Sequence, residues 1–253
     1  MVIIVNTIYS GYLNKVHTQV SLYRIIFGFP APIILALLLN EVYNEKFKRI
    51  TQTISYLPYF TSWVVLAGIM NEIFSPNRGV VNYIIMHFGG HSINFLAEAS
   101  LFRPLLVSTG IWQNIGWGSI IYLGAIASIS TEQYESAYMD GANRFQIVRF
   151  ITIPSISSTM SVMFILSLGA ILGSGGAGGT FGNLFDQVFN LYNPSVYSTG
   201  DIIDTYVYRT GLLNQQYSYS TAVGLFKNVV GLVFVLTGNF IIRRLSNKEQ
   251  GIW

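Results

Sequence analysis

The sequence predicts an all-α, polytopic membrane protein with five spans, and three observations carry that expectation. Only 10% of the 253 residues are charged while 51% are hydrophobic, and the mean hydropathy is +0.48. A soluble chain carries about 25% charged residues, because its surface must be solvated. Apolar runs of about 20 residues, long enough to cross a hydrocarbon core, recur along the chain. Basic residues gather on alternate flanks of those runs, as the orientation of membrane helices by positive charge requires. The net charge of +3 is spread thinly rather than along one stripe, which excludes nucleic acid as a partner. No cysteine is present, so disulfides, thiol catalysis and cysteine metal sites are excluded as well. The amino terminus has no basic region and no small-residue cleavage site, so no cleavable signal peptide is expected.

The spans follow in order. Residues 20–39 form the first, with Arg24 near its start and Pro30 and Pro32 inside, which predicts a kinked helix packed on neighbours. A charged loop over 40–49 leads to the second span, 54–74, opened by Tyr56, Leu57, Pro58 and Tyr59 and containing Trp63. A connection over 75–103 begins with a turn signal, Ser75 to Gly79. The third span, 105–129, is the least apolar: Trp112, Gln113, Asn114, Trp117 and Tyr122 would be costly against lipid and should face other helices or a passage. The fourth, 154–172, carries Ser155, Ser157, Ser158, Thr159 and Ser161, small polar residues that allow close helix contact. The fifth, 221–242, contains Lys227, Asn228 and Asn239 and ends at Arg243 and Arg244.

Between the third and fourth spans lies a polar helical segment, 130–153. Ser130 and Gln133 fit a capping box, and Glu132 and Glu135 suit the positive end of a helix dipole. Tyr134, Ala137, Tyr138, Gly141, Ala142 and Phe145 recur at helical spacing, with Asp140 and Arg144 as an i,i+4 pair on the other side. Gly141 can supply a left-handed turn, and Pro154 suits the first turn of a new helix. The expectation is short helix, turn, short helix, then a new long helix. The basic flanks Lys46, Lys48, Arg49, Arg144, Arg149, Arg243, Arg244 and Lys248 place this segment in the cytoplasm. Residues 173–220 then form an external loop.

Several motifs carry less than their spelling suggests. Gly173, Gly175 and Gly178 match a dinucleotide fingerprint, but no strand precedes them and a linker is the simpler reading. His87 and His91 are four apart, yet Gly89 and Gly90 intervene and no further ligand completes a metal site. There is no phosphate-binding loop and no serine elbow, so any energy source lies on another chain. Lys227 is expensive inside a span unless it snorkels or pairs with an external acid such as Asp201 or Asp204. Trp112, Gln113, Asn114 and Trp117 offer ring faces and amides suited to sugars, and helix packing would use the same groups.

The segment 130–153 resembles the signature E-A-A-x3-G-x9-I-x-L-P of permease subunits in binding-protein-dependent ABC importers, through Glu135, Ala137, Gly141, Ile151 and Pro154. Ser136 and Ile153 stand where the signature has alanine and leucine. The stretches beginning at Tyr23, Ser55, Asp201 and Thr221 look like the MalF-like sugar permeases, and the likeness covers residues 22–245. The resemblance implies a permease domain over 1–253 in the cytoplasmic membrane, paired with a second permease subunit, two ATPase subunits and an external solute-binding protein. The substrate class implied is an oligosaccharide or polysaccharide. ATP and magnesium would sit on the partner ATPase, so this chain itself is no enzyme and binds no cofactor or metal. Carried over by position, Glu135, Ala137, Asp140, Gly141 and Arg144 would contact the ATPase, while Trp112, Gln113, Asn114, Trp117 and Tyr122 would line the substrate path. That family has six core spans, one more than are read here, and residues 1–19 do not read as a first span. An ion-coupled secondary transporter is the alternative. Unwound half-helices or acids deep in the membrane would favour it, and Glu72, at a span end, is the nearest acid.

Overall fold

The computed structural model describes residues 11–170 and 183–245. Among these residues every regular element is helical. Three helices are long and apolar enough to cross a bilayer, Val16–Asn40, Arg144–Gly169 and Tyr217–Arg244. A fourth crossing exists if the bent pair Glu45–Phe60 and Trp63–Ile73 counts as one span. By this measure the five expected spans become three or four, and each difference has a local cause.

The first span joins α1 (Gly11–Tyr23) to α2 (Pro30–Asn40) through a π-helical turn, Arg24–Gly28. Pro30 has no N–H, and its ring would crowd the carbonyl four residues back. The widened turn relieves that clash, and the Phe29 N–H reaches back five residues to the Arg24 carbonyl at 3.2 Å. The span therefore begins at Val16, four residues before the expected start, and Arg24 lies well inside it.

α3 (Glu45–Tyr56) starts where a loop was expected, because the Asn44 side chain accepts from the Lys46 and Phe47 N–H groups at 3.0 and 3.2 Å. A 3-10 turn, Leu57–Phe60, then breaks the expected second span. α4 (Trp63–Ile73) leaves at 106° to the preceding helix. Pro58 removes a donor at the bend, Thr61 is extended, and Ser62 caps α4 through the Val65 N–H. Helix α5 (Val80–His87) follows, with its Asn82 side chain clamped to the carbonyls of Ser75 and Ile93 at 3.0 and 2.9 Å.

α6 (Ala99–Ala127) has 29 residues and so is about 43 Å long, more than enough to cross. Its amides, hydroxyls and glycines keep it out of the apolar set. Much of it is covered by protein instead, because α2, α3, the later helix Ile153–Gly169 and the external helices Leu184–Leu191 and Tyr197–Gly200 pack on it. Near its outer end, Phe102, Leu105 and Leu106 join Trp63, Leu66, Met70, Val188 and Ile202 in one buried cluster. Near its inner end, Tyr122 and Ile126 join Ile33, Ala36, Ile156 and Met163 in a second. In a bilayer such clusters are held by close packing, since lipid tails are as apolar as leucine.

The segment after α6 contains α7 (Thr131–Met139), a turn, and α8 (Arg144–Ile147). α8 continues through a π-helical turn, Val148–Thr152, into α9 (Ile153–Gly169). The expected fresh helix start at Pro154 is thus replaced by one helix running from Arg144 to Gly169, again with a widened turn just ahead of a proline. Residues 171–182, which hold the last two positions of the expected fourth span and the glycine run, lie outside the described residues. Beyond them stand α10 (Leu184–Leu191), a 3-10 turn at Pro194–Val196, α11 (Tyr197–Gly200), α12 (Ile203–Val207), and a π-helical turn, Tyr208–Leu213. The expected external loop is therefore largely helical in its described part. α13 (Tyr217–Leu245) packs along α9 and completes the bundle.

Candidate functional site

The segment 130–153 builds a shallow groove. α7 is capped by Ser130, which accepts from the Glu132 N–H at 3.3 Å, and ends in a Schellman turn. There Ala142 N–H bonds to the Ala137 carbonyl at 2.9 Å and Gly141 N–H to the Tyr138 carbonyl at 3.1 Å. Gly141 sits at φ +77°, the left-handed region where glycine carries no Cβ penalty. The true capping box belongs to Asn143 and Gln146, paired at 2.9 and 2.8 Å, rather than to Ser130 and Gln133. The sequence signal was present, since Asn-x-x-Gln is a capping-box spelling too.

The turn also separates two residues expected to pair. Asp140 ends α7 and Arg144 opens α8, so they share no helix face. Arg144 instead donates to the Tyr43 hydroxyl at 2.8 Å, lies over the Tyr43 ring at 4.7 Å, and stands 3.9 Å from Glu41. It therefore clamps the segment to the end of the first span. A second tie joins the Tyr134 hydroxyl to Thr152 at 3.2 Å. The groove, about 320 Å³, is lined by Ala137, Asp140, Gly141, Ala142, Ile147 and Phe150, among others. Of the sequence-predicted contacts, Ala137, Asp140 and Gly141 line it, Glu135 is exposed nearby, and Arg144 faces the clamp. Tyr138, Met139, Phe145 and Phe150 surround it with between 55% and 87% of their surface exposed. Large apolar side chains at that exposure on a polar segment mark an interaction surface.

Halfway along α6, between its two apolar clusters, runs a belt of amides. Gln113 donates to the Thr61 carbonyl at 3.3 Å, satisfying backbone freed by the bend between α3 and α4. Asn114 donates to the Gly110 carbonyl at 2.8 Å, and its own carbonyl oxygen is buried with no protein partner. Trp117 stacks on Tyr59 at 4.7 Å and meets Phe60 edge-on, which fixes the bend from the other side. Tyr122 is fully buried in the inner cluster, whereas Trp112, at 44% exposure, is the exposed member of the five. Gln187 of α10 completes the belt through bonds to the Leu106 carbonyl at 2.7 Å and the Thr109 hydroxyl at 2.9 Å. Nothing in the spacing of Gln187 reveals that contact, because it spans 81 positions.

Two partly buried ion pairs organise the outer helices. Lys227 of α13 pairs with Asp204 of α12, one of the two acids named as its possible partner. Asp201 takes Arg209 as a fork, at 3.0 and 2.5 Å, and accepts from the Thr205 hydroxyl at 2.7 Å. The Asp201 hydrogen bonds raise the Arg209 guanidinium above its ordinary value, against desolvation, and the cation also lies over Tyr197 at 4.6 Å. Burial raises the Tyr192 phenol, with the neighbouring Arg209 acting the other way. His87 ends α5 and stacks on Tyr83, so His87 and His91 do not share a helix face. The broken second span is the unwound feature that an ion-coupled carrier would use. Its freed carbonyl is taken by an amide rather than an ion, and Glu72 lies exposed at the far end of α4 beside Arg78.

Comparison with known proteins points one way. The family model described as "Binding-protein-dependent transport system inner membrane component" matches residues 28–248. The chain is 45% identical over 224 residues to Protein LplB of Bacillus subtilis (strain 168), covering 88% of this chain and 68% of that protein. It is 42% identical over 225 residues to the polygalacturonan/rhamnogalacturonan transport system permease protein YteP of the same organism, covering 89% and 67%. Among solved structures, a chain of a bacterial alginate ABC transporter, in complex with alginate pentasaccharide-bound periplasmic protein, superposes with a TM-score of 0.86 at 42% identity. That match covers 94% of this chain and 79% of the other.

Proposed function

The chain belongs to the family of binding-protein-dependent transport system inner membrane components, and from that premise we propose that it forms one half of a translocation path for an oligosaccharide or polysaccharide. It is a multi-pass protein of the cytoplasmic membrane and a permease rather than a catalyst. The relatives named for polygalacturonan, rhamnogalacturonan and alginate support an acidic carbohydrate as cargo. In this reading the chain works beside a second permease subunit and two ATPase subunits, and receives its cargo from an external solute-binding protein. ATP and magnesium are held by the ATPases.

The observation that carries the coupling half of the reading is the groove between α7 and α8. Its Schellman turn leaves Asp140 and Gly141 open to a partner over buried Ala137, and a Cβ added at Gly141 would meet nothing within 4 Å. A docked ATPase element would fill that space. Glu135 borders it, and Arg144 transmits a pull on the segment to the first span through Tyr43 and Glu41. ATP-driven closure of the partners would then bias the bundle between inward- and outward-facing states, through contacts that differ in the two. Of the residues assigned to the path, Trp112 offers an exposed ring face to a sugar, and Asn114, about 200° round the helix from it, a buried amide oxygen.

The test is Gly141→Trp in the assembled complex. Subunits should still copurify, while substrate-stimulated ATP hydrolysis and uptake fall together by more than tenfold. Unchanged uptake would overturn docking at the groove. Asn114→Ala is expected to raise the transport KM for the acidic oligosaccharide, and an unaltered KM would remove it from the path. The chain purified alone should hydrolyse no ATP.

A further inference from the structure

The cations of the described residues divide by side. At the external end Arg78 pairs with Glu72, Arg209 with Asp201 and Lys227 with Asp204, while Arg103 pairs with no described acid and donates to the Thr199 carbonyl at 3.1 Å. At the cytoplasmic end only Arg144 reaches an acid, whereas Lys46, Lys48, Arg49, Arg149, Arg243 and Arg244 form no ion pair with any described residue. Their counter-charge comes from something beyond the described residues.

Helix α3 shows what that something is. None of its residues is buried, although it packs on α6, where Gly116 stands against the Ser55 carbonyl. Phe47, Ile50, Ile54 and Leu57 recur at three- and four-residue steps and are 57%, 58%, 66% and 66% exposed. They form one stripe, which no described residue covers. At about 100° per residue, Lys46 and Arg49 border one edge of this stripe at its cytoplasmic end, while half-buried Lys48 lies on the face that Ser55 packs against α6. Cations at the head of a long apolar stripe match the two parts of a lipid, a charged headgroup above acyl chains. An acidic protein surface would satisfy the cations and leave unexplained about 15 Å of apolar stripe running toward the bilayer centre.

We propose that the outer face of α3 binds an anionic phospholipid of the cytoplasmic leaflet, with its headgroup between Lys46 and Arg49 and an acyl chain along Phe47, Ile50, Ile54 and Leu57. The site adjoins the loop whose Glu41 and Tyr43 hold Arg144, so a bound lipid steadies the anchor of the 130–153 segment. Arg49 can donate two hydrogen bonds to phosphate while Lys46 adds a point charge.

The test uses the assembled membrane complex, extracted from membranes containing phosphatidylcholine and phosphatidylglycerol and then stripped by washing in detergent. Retained phosphatidylglycerol is measured by mass spectrometry. The doubly substituted Lys46→Gln, Arg49→Gln protein is expected to retain several times less than the unsubstituted one, with an unchanged thermal midpoint, since both positions are exposed. Arg243→Gln with Arg244→Gln removes the same charge elsewhere and should leave this retained fraction intact. Equal loss in both double variants would mean a response to net charge alone and overturn the site, as would undiminished retention in the first. Displacement of the retained lipid by millimolar inorganic phosphate would identify a free-anion site instead and overturn the acyl-chain half.

Discussion

At the scale of single residues, the costly groups are buried charges and one left-handed turn. Asp204 and Lys227 have side chains only 16% and 10% exposed, so neither tolerates losing the other. Asp204→Asn or Lys227→Met alone is expected to cost about 3–5 kcal/mol, because the remaining charge is buried without compensation. The double variant should recover much of that loss, measured as the thermal midpoint of the purified complex. Arg209 behaves differently with pH. Its folded-state value is raised, chiefly by the Asp201 hydrogen bonds, so from neutral pH up to its ordinary range its contribution is present, and it is lost only as pH rises through the raised value. Stability measured across neutral and mildly alkaline pH should therefore show no step from this pair. Gly141→Ala fits sterically and is expected to cost about 1–2 kcal/mol through its left-handed backbone alone. A larger loss of transport than of stability would separate docking from folding at this position.

At the scale of elements, two contacts decide how helices sit. α6 approaches α3 backbone to backbone, and a Cβ added at Gly116 would lie 2.1 Å from the Ser55 carbonyl oxygen. Gly116→Val must push the two helices apart, an overpacking expected to cost about 1–3 kcal/mol or more, read out as reduced yield and thermal midpoint. Because Gln113 and Trp117 hold the bend beside this contact, the separation should also expose the Tyr59 and Phe60 cluster. The second contact is the start of α8. Asn143→Ala removes both the side-chain cap and half of its reciprocal pair with Gln146, worth about 1 kcal/mol locally. Hydrogen exchange of the amides at 144–147 should quicken while the rest of the helix to Gly169 stays protected.

At the scale of the whole molecule, most span surface is not covered by this chain. Of the most apolar windows of the three long helices, 28%, 28% and 17% of the residues are buried. The remainder needs lipid or a second subunit, as expected of one half of a transporter. Expressed without its permease partner, the chain should accumulate at a much lower level, measured by immunoblot of membranes. The membrane class, the first, fourth and fifth spans and the position of the polar segment were legible in order, because each follows from hydropathy and local spacing. So was Gly141 as a turn residue, since a helical stripe interrupted by glycine is a local signal. The break at Pro58, the largely covered course of α6 and the continuity of Arg144 to Gly169 were not, because a proline reads alike as a start, a kink or a widened turn. Only packed neighbours choose among these, as Gln113 and Trp117 do at the bend. The partner of Arg144 was misread for the same reason: its nearest acid in sequence lies across a turn, while Glu41 and Tyr43 lie about a hundred residues away in the chain and within 4 Å in space. Composition and periodicity are sums over neighbours in the chain, and they determine what a segment needs. Tertiary structure decides which distant group supplies it.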